Sequence, residues 1–297
     1  MSARIVFNLP GCQAASPALL QALGARGGDL ETRHFPDGEL YLRVLSQVRD
    51  CEALIYGSLD QPDGKLIPLI FLAQTLRALG ARRVGLVAPY LAYMRQDRQF
   101  QPGEGITSHY FAALLSQHLD WLVTVDPHLH RIHQLGDIYR IPTCVVHAAG
   151  AIAAWIRDEV PNPVLVGPDA ESAQWVGEVA AHIGAPHTVL QKTRRGDREV
   201  EVSMPHLDAH RDRTPVLVDD IISTARTMIQ TVRHLRTLGL PAPVCVGVHG
   251  LFAGTAYQDL QAAGAARVVT TGSVPHSSNA ISLDPLLAGA VEELLPK

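Results

Sequence analysis

Cysteine is scarce in this sequence and badly spaced for chemistry. Cys12, Cys51, Cys144 and Cys245 lie far apart and form no CxxC pair, which excludes a zinc knuckle and a dense disulfide framework. No uninterrupted apolar run approaches the ~18 residues needed to span a membrane. The opening MSARIVFNLPG holds an apolar stretch that Pro10 ends too soon for a signal peptide. Charge is also sparse: 18% of residues are Asp, Glu, Lys or Arg, below the roughly 25% usual for soluble domains. With a net charge of −4, bulk charge cannot carry nucleic-acid binding, and any phosphate must be gripped locally. Low-complexity segments and tail-like charge runs are absent as well. These absences predict a soluble, cytoplasmic protein in a reducing compartment, with neither nucleic acid nor membrane as partner.

What is present is apolar sequence, 47% of the 297 residues, enough for ample cores and some surface to bury between subunits. The length favours two domains of about 150 residues. Short β-branched runs alternate with Ala- and Leu-rich segments at helical period, the pattern of an α/β protein with parallel sheets. The expected strands are ARIVFNL, ALIYGSL, RVGLVAPY, WLVTVDP, PVLVGPD, PVLVDDII, PVCVGVHG and ARVVTTGS. Helices are expected over 16–23, 65–79, 107–119, 171–182 and 227–238, with Gly80, Gly184 and Gly239 as C-terminal caps. The alternation restarts after IPTCVVHAAG, which places a domain boundary there and gives domains of 1–145 and 146–297. The two halves read alike without a strict repeat, as duplication of one α/β domain would leave them.

The sharpest chemical signal is the string from Val216 to Thr227, VLVDDIISTART. An apolar strand ends in Asp219 and Asp220, and a hydroxyl-rich turn then opens a helix. Backbone N–H groups from Ser223 to Thr227 can hold a phosphate at the helix N-terminus. Ionised Asp219 and Asp220 accept hydrogen bonds only, which suits vicinal ribose hydroxyls or the water shell of a metal. Two acids ending a strand, with Ser223 capping a helix, would be commonplace alone; the complete string is not. YMRQDR follows the strand RVGLVAPY and offers Arg95 and Arg98 for a polyphosphate or a purine. FPDGE is a tight acidic turn, and VDPH sets Asp126 and His128 at a strand end. His128, His130 and His133 have no thiol nearby, so zinc is not expected. Trp121, Trp155 and Trp175 read as packing residues.

In family order, FPDGE, YMRQDR, VDPH, GPD, KTR and DDIISTART resemble the ribose-phosphate pyrophosphokinases, and the likeness runs from about residue 30 to about residue 275. DDIISTART alone resembles the phosphoribosyl pyrophosphate motif of type I phosphoribosyltransferases. FQPGEGITS and KTR are closer to the short archaeal-type members. The resemblance implies two similar type I phosphoribosyltransferase-like domains, each a mainly parallel sheet flanked by helices. The N-terminal domain would be the ATP side and the C-terminal one the ribose 5-phosphate side, the last ~15 residues being free to pack back on the N-terminal domain.

The same resemblance implies roles. Phe35, Asp37, Gly38 and Glu39 would reach the adenine and ribose of ATP from a neighbouring subunit, so the protein would be at least a dimer with shared active sites. Arg95, Gln96 and Arg98 would contact ATP within the subunit. His128 and Asp169 would bind Mg²⁺, the expected cofactor. Lys192 and Arg194 would be catalytic, on a mobile loop over the transferred diphosphate. Asp219, Asp220, Ser223, Thr224, Ala225, Arg226 and Thr227 would hold ribose 5-phosphate. The sequence departs from the family's habit at Arg226, where glycine is usual, and at Ser223, where aspartate is frequent. A side chain at 226 fits only if it points outward. The implied reaction moves the diphosphoryl group of Mg-ATP to the 1-hydroxyl of ribose 5-phosphate. A non-catalytic regulatory homologue would fit the same motifs. A nucleobase phosphoribosyltransferase would use DDIISTART but leave FPDGE and RQDR unexplained.

Overall fold

The computed structural model describes residues 3–129, 131–169, 172–195, 199–203 and 210–295, with backbone alone for Gln174 and for 191–195 and 199–203. The chain forms two compact units, Met1–Val146 with Asp284–Lys297, and His147–Leu283.

In the first unit the strands are β1 (Arg4–Asn8), β2 (Ala25–Gly27), β3 (Leu30–His34), β4 (Leu40–Val44), β5 (Glu52–Tyr56), β6 (Arg83–Ala88), β7 (Trp121–Val125) and β8 (Thr143–Val146). The helices are α1 (Pro17–Ala22), α2 (Asp63–Ala78), α3 (Thr107–His118) and a terminal helix at Asp284–Leu294. Six strands form one parallel sheet in the order β2-β1-β5-β6-β7-β8, while β3 and β4 pair only with each other. The central strands are buried on both faces, which is why they read as unbroken apolar runs. The indole of Trp121 lies directly over Gly85, where an added Cβ would sit 1.9 Å from a ring carbon. The terminal helix is fastened at both ends. Ser16 Oγ donates to Asp284 at 2.5 Å, Arg4 pairs with Glu292, and Arg83 donates to the Leu294 carbonyl at 3.3 Å.

The second unit repeats the plan. Its strands are β9 (Pro163–Gly167), β10 (His187–Val189), β11 (Gln191–Arg195), β12 (Glu199–Ser203), β13 (Thr214–Ile222), β14 (Val244–Gly250), β15 (Arg267–Thr271) and β16 (Asn279–Ile281). Its helices are α4 (Ala149–Glu159), α5 (Ala173–Ile183), α6 (Arg226–Thr237) and α7 (Ala256–Ala262). The parallel sheet runs β10-β9-β13-β14-β15-β16, with β11 and β12 as a separate antiparallel pair. Set the hairpins aside and both sheets order their strands second, first, third, fourth, fifth, sixth. In both units the hairpin interrupts the chain between the second and third sheet strands. Even the backbone agrees at one special place: Gln61 before α2 and Ala225 before α6 both have positive φ. Neither lies in the low-penalty class of glycine, so each marks a loop held in shape by its surroundings.

All eight expected strands and all five expected helices form, and Gly80, Gly184 and Gly239 have positive φ at helix ends. Short edge strands β2, β8, β10 and β16, helices α4 and α7, and the terminal helix went unread. Residues 191–195 and 199–203, expected as part of a loop, instead form the antiparallel pair β11–β12, with Lys192 opposite Val202 and Arg194 opposite Val200. EVEVS alternates with period two, which favours a strand over a loop. Among the described residues no helix is long and apolar enough to cross a membrane.

Gly85→Ala should destabilise the first unit by about 3 kcal/mol or more, because the added Cβ would lie 1.9 Å from the Trp121 indole and the packed sheet cannot open to relieve the overlap. Urea unfolding followed by Trp fluorescence measures it, and an unchanged midpoint would mean that Trp121 packs elsewhere.

Candidate active site

In the second unit the sheet reverses strand order between β9 and β13, the switch point where open α/β sheets bind ligands. Both strands bring acids there. Asp169 follows β9, and its carboxylate accepts the Ser172 N–H at 3.1 Å while the Ser172 hydroxyl donates to its carbonyl at 2.6 Å. Asp219 and Asp220 lie within the last four residues of β13, Asp219 in register with Gly247. Asp219 accepts the Asp220 N–H at 3.1 Å, and Asp220 accepts the Ile221 N–H at 2.7 Å. Burial, then the Asp220 and Asp169 carboxylates, push the Asp219 carboxyl up to about 8. Three acids thus crowd the C-terminal end of this sheet, and their proximity adds to the burial of Asp219.

The turn after β13 leads straight into α6. Ala225 is the N-cap, in the left-handed region at φ 55°, and no side chain caps the helix. The first N–H groups of α6 therefore lack the usual side-chain acceptor, the condition for an anion seat. The loop is braced from behind: Phe252 N–H donates to the Ile222 carbonyl at 3.0 Å and Ala253 N–H to the Ser223 carbonyl at 3.1 Å. Arg226 opens α6, has no positive φ, and is exposed. The left-handed position falls on Ala225, so the backbone asks for no glycine at 226. Thr224 is exposed and Ser223 and Thr227 are half-buried along the same turn. Lys192 and Arg194 lie in β11, and their side chains are outside the described residues.

A buried polar cluster beside this edge had no clear signal in the sequence. His249, in register with Ile221, has its Nδ1 2.8 Å from Ser273 Oγ, which donates to the Val248 carbonyl at 2.9 Å. Thr271 Oγ1 donates to the same carbonyl at 2.7 Å. A histidine inside VCVGVHG and the hydroxyls of VVTTGS were the only hints.

In the first unit the corresponding turn, between β5 and α2, is arranged differently. Lys65 Nζ donates to the Ser58 carbonyl at 2.9 Å and to Asp60 at 2.7 Å, so this half fills its switch point with its own ion pair. The other motifs lie on loops. FPDGE forms the β3–β4 tip, where Gly38 has φ 93°, the Phe35 N–H donates to the Glu39 carbonyl at 2.8 Å, and Asp37 accepts the Glu39 N–H at 3.2 Å. Phe35, Asp37, Gly38 and Glu39 are all exposed. Arg33 lies 4.7 Å from the Phe35 ring centre and 4.3 Å from that of Tyr41. After β6, Tyr93 turns the chain at φ 62° and stacks on Phe111. Beyond it Arg95 and Arg98 are exposed, and Gln96 accepts the Thr107 hydroxyl at 3.2 Å. After β7, Asp126 has φ 33° and His128 is half-buried. Tyr93, Asp126 and Ala225 are non-glycine residues held at positive φ in three of the motif loops, the strain typical of functional sites. Arg95, Gln96, Arg98 and His128 belong to the first unit, and Asp169 and residues 219–227 to the second. Among the described residues no three His, Cys, Asp or Glu side chains form a metal-holding group. Mg²⁺ does not require one, because it keeps waters and takes phosphate oxygens beside one or two carboxylates. The hard oxygen donors around Asp219 suit it.

The comparisons with known proteins cover both units. A profile for the N-terminal domain of ribose phosphate pyrophosphokinase matches residues 5–118, and one for the phosphoribosyl transferase domain matches residues 134–284. The chain is 34% identical to a ribose-phosphate pyrophosphokinase of Saccharolobus solfataricus over 82% of this chain and 84% of that one. It is 33% identical to one of Methanopyrus kandleri over 93% and 94%. The fold matches a phosphoribosylpyrophosphate synthetase of Mycobacterium smegmatis with a TM-score of 0.82, at 24% identity over 98% of each chain. With both units matched and these relatives covered almost end to end, the chain belongs to the ribose-phosphate pyrophosphokinase family.

Proposed function

We propose that the protein transfers the diphosphoryl group of Mg-ATP to the 1-hydroxyl of ribose 5-phosphate, releasing AMP and phosphoribosyl pyrophosphate. The observation that carries this reading is the unequal doubling. A nucleobase phosphoribosyltransferase needs one phosphate turn, and here a second unit of the same plan has Lys65 and Asp60 where that turn would open. That leaves the first unit for a different substrate, with guanidiniums at Arg95 and Arg98. The retained acids at 169, 219 and 220 count against a non-catalytic homologue.

In this reading the first unit forms the ATP side and the second unit the ribose 5-phosphate side. The seat at Ser223–Thr227 takes the 5-phosphate, and Asp219 and Asp220 accept from the sugar hydroxyls, fixing the 1-hydroxyl for attack on the β-phosphorus. Arg95, Gln96 and Arg98 hold the nucleotide. Phe35 and Asp37–Glu39 hold adenine and ribose from a second copy of the chain. The exposure of Phe35, Asp37, Gly38 and Glu39 at the hairpin tip leaves them open to such a contact. Lys192 and Arg194 neutralise charge that develops on the transferred group. His128 and Asp169 would hold Mg²⁺, which when bound draws charge from phosphoryl oxygens. The setting in this reading is cytoplasmic.

Incubation with Mg-ATP and ribose 5-phosphate should yield AMP and phosphoribosyl pyrophosphate in equal amounts. Nucleobase-dependent pyrophosphate release instead would identify a phosphoribosyltransferase, and no product a regulatory homologue.

Lys192→Ala should lower kcat by roughly 10²–10³-fold with little change in either KM, because its charge acts on the transition state. Steady-state kinetics with near-normal turnover would remove it from catalysis.

Asp219→Asn should stabilise the ligand-free protein in alkali. The folded carboxyl titrates near 8 and the unfolded one near 3.8. Its protonated form therefore favours folding at low pH, and that contribution disappears as pH rises through the folded value. The variant should melt several degrees above the parent at pH 9 and equal it at pH 4. A pH-independent difference would show that Asp219 is not strained by its neighbours.

A further inference from the structure

The YMRQDR arm contains a residue with no assigned task. Arg95 and Arg98 face solvent, but the Asp97 side chain between them is only 4% exposed. A carboxylate so far from water needs a partner, and this one has two. The Arg131 guanidinium, 47% exposed, approaches Oδ1 at 3.0 Å and Oδ2 at 3.3 Å, and the Arg131 N–H donates to Oδ2 at 3.3 Å. Side chain and backbone of Arg131 are thus both tied to one buried acid.

Arg131 is three residues beyond His128. The loop that carries His128 is fixed on its other side where Asp126 N–H donates to the Val146 carbonyl of β8 at 3.0 Å. Asp97 supplies the second anchor. The same pair also places charge. Guanidiniums of Arg98 and Arg131 lie 4.9 and 5.9 Å from the centre of the Phe100 ring. Asp97 engages Arg131, leaving Arg98 as the open cation on that ring.

We propose that Asp97 is a positioning residue: through Arg131 it couples the arm bearing Arg95, Gln96 and Arg98 to the loop bearing His128, so that nucleotide grip and metal loop move as one piece. This rests on the reading of the first unit as the ATP side. Loss of either partner should then weaken binding of Mg-nucleotide while leaving the sugar-phosphate seat in the second unit unaffected.

The test uses Mg²⁺ with α,β-methylene-ATP, whose bridging carbon blocks the reaction, in calorimetric titrations of the full chain. Asp97→Asn keeps shape and one acceptor, and Arg131→Ala alters a half-exposed residue that the fold does not bury. Each should weaken analogue binding about tenfold, and the double variant about tenfold as well, since one coupling is lost once. KM for ribose 5-phosphate should stay within about twofold. Multiplicative losses in the double variant, equal losses for both substrates, or unchanged analogue binding in Arg131→Ala would each overturn the proposal. Should Asp97→Asn fail to fold, Arg131→Ala alone decides between the outcomes. A parent protein that binds no Mg-nucleotide would refute the reading of the ATP side, a separate result that the parent titration reveals first.

Discussion

A parallel strand that ends in adjacent acids must keep like charges together where the sheet shields them from water. At the end of β13 that crowding involves Asp219, Asp220 and, from the neighbouring strand, Asp169. Every other feature of the second unit's active edge answers to it. Backbone N–H groups of Asp220, Ile221 and Ser172 are turned onto the carboxylates, and α6 directs its uncapped N-terminus into the same region. Such an edge makes ionisation of Asp219 costly. It is suited to a partner that brings hydroxyl donors, a cation and a phosphate together, as a sugar phosphate with magnesium does.

The two halves show how one plan can serve different ends. Both turn at positive φ before the helix that follows the third sheet strand, at Gln61 and at Ala225. One half then fills the space with a lysine and its carboxylate; the other leaves helix N–H groups facing outward. The difference is a few side chains at one turn, with the sheet order unchanged.

Much of this was legible in the sequence because buried parallel strands are apolar on both faces and stand out as runs. PVLVDDII shows both the strand and the place where it stops being core. Short edge strands gave no such signal: β2 is ARG, and TCVV in β8 looked like the start of a linker. The β3 strand LETRH is too polar to be recognised without its partner β4. At the site, motif residues were readable since their chemistry is local. Asp97 and Arg131 were not, because 34 residues separate two charges that only the fold brings together. His249 was hidden differently, as a polar residue whose partner Ser273 lies in the turn after another strand, β15.

The terminal helix belongs to the unit that the chain begins, not the one it has just completed. A ribosome releases the first unit's sheet long before Asp284–Leu294 emerges to meet Arg4, Ser16 and Arg83. The second unit is wholly made before that moment and can close first, reversing the usual N-to-C order of domain folding. A truncated translation product would therefore carry a finished second half and an unsealed first one, exposing apolar surface that quality-control proteases can recognise. Only a chain translated through Asp284–Leu294 hides that surface.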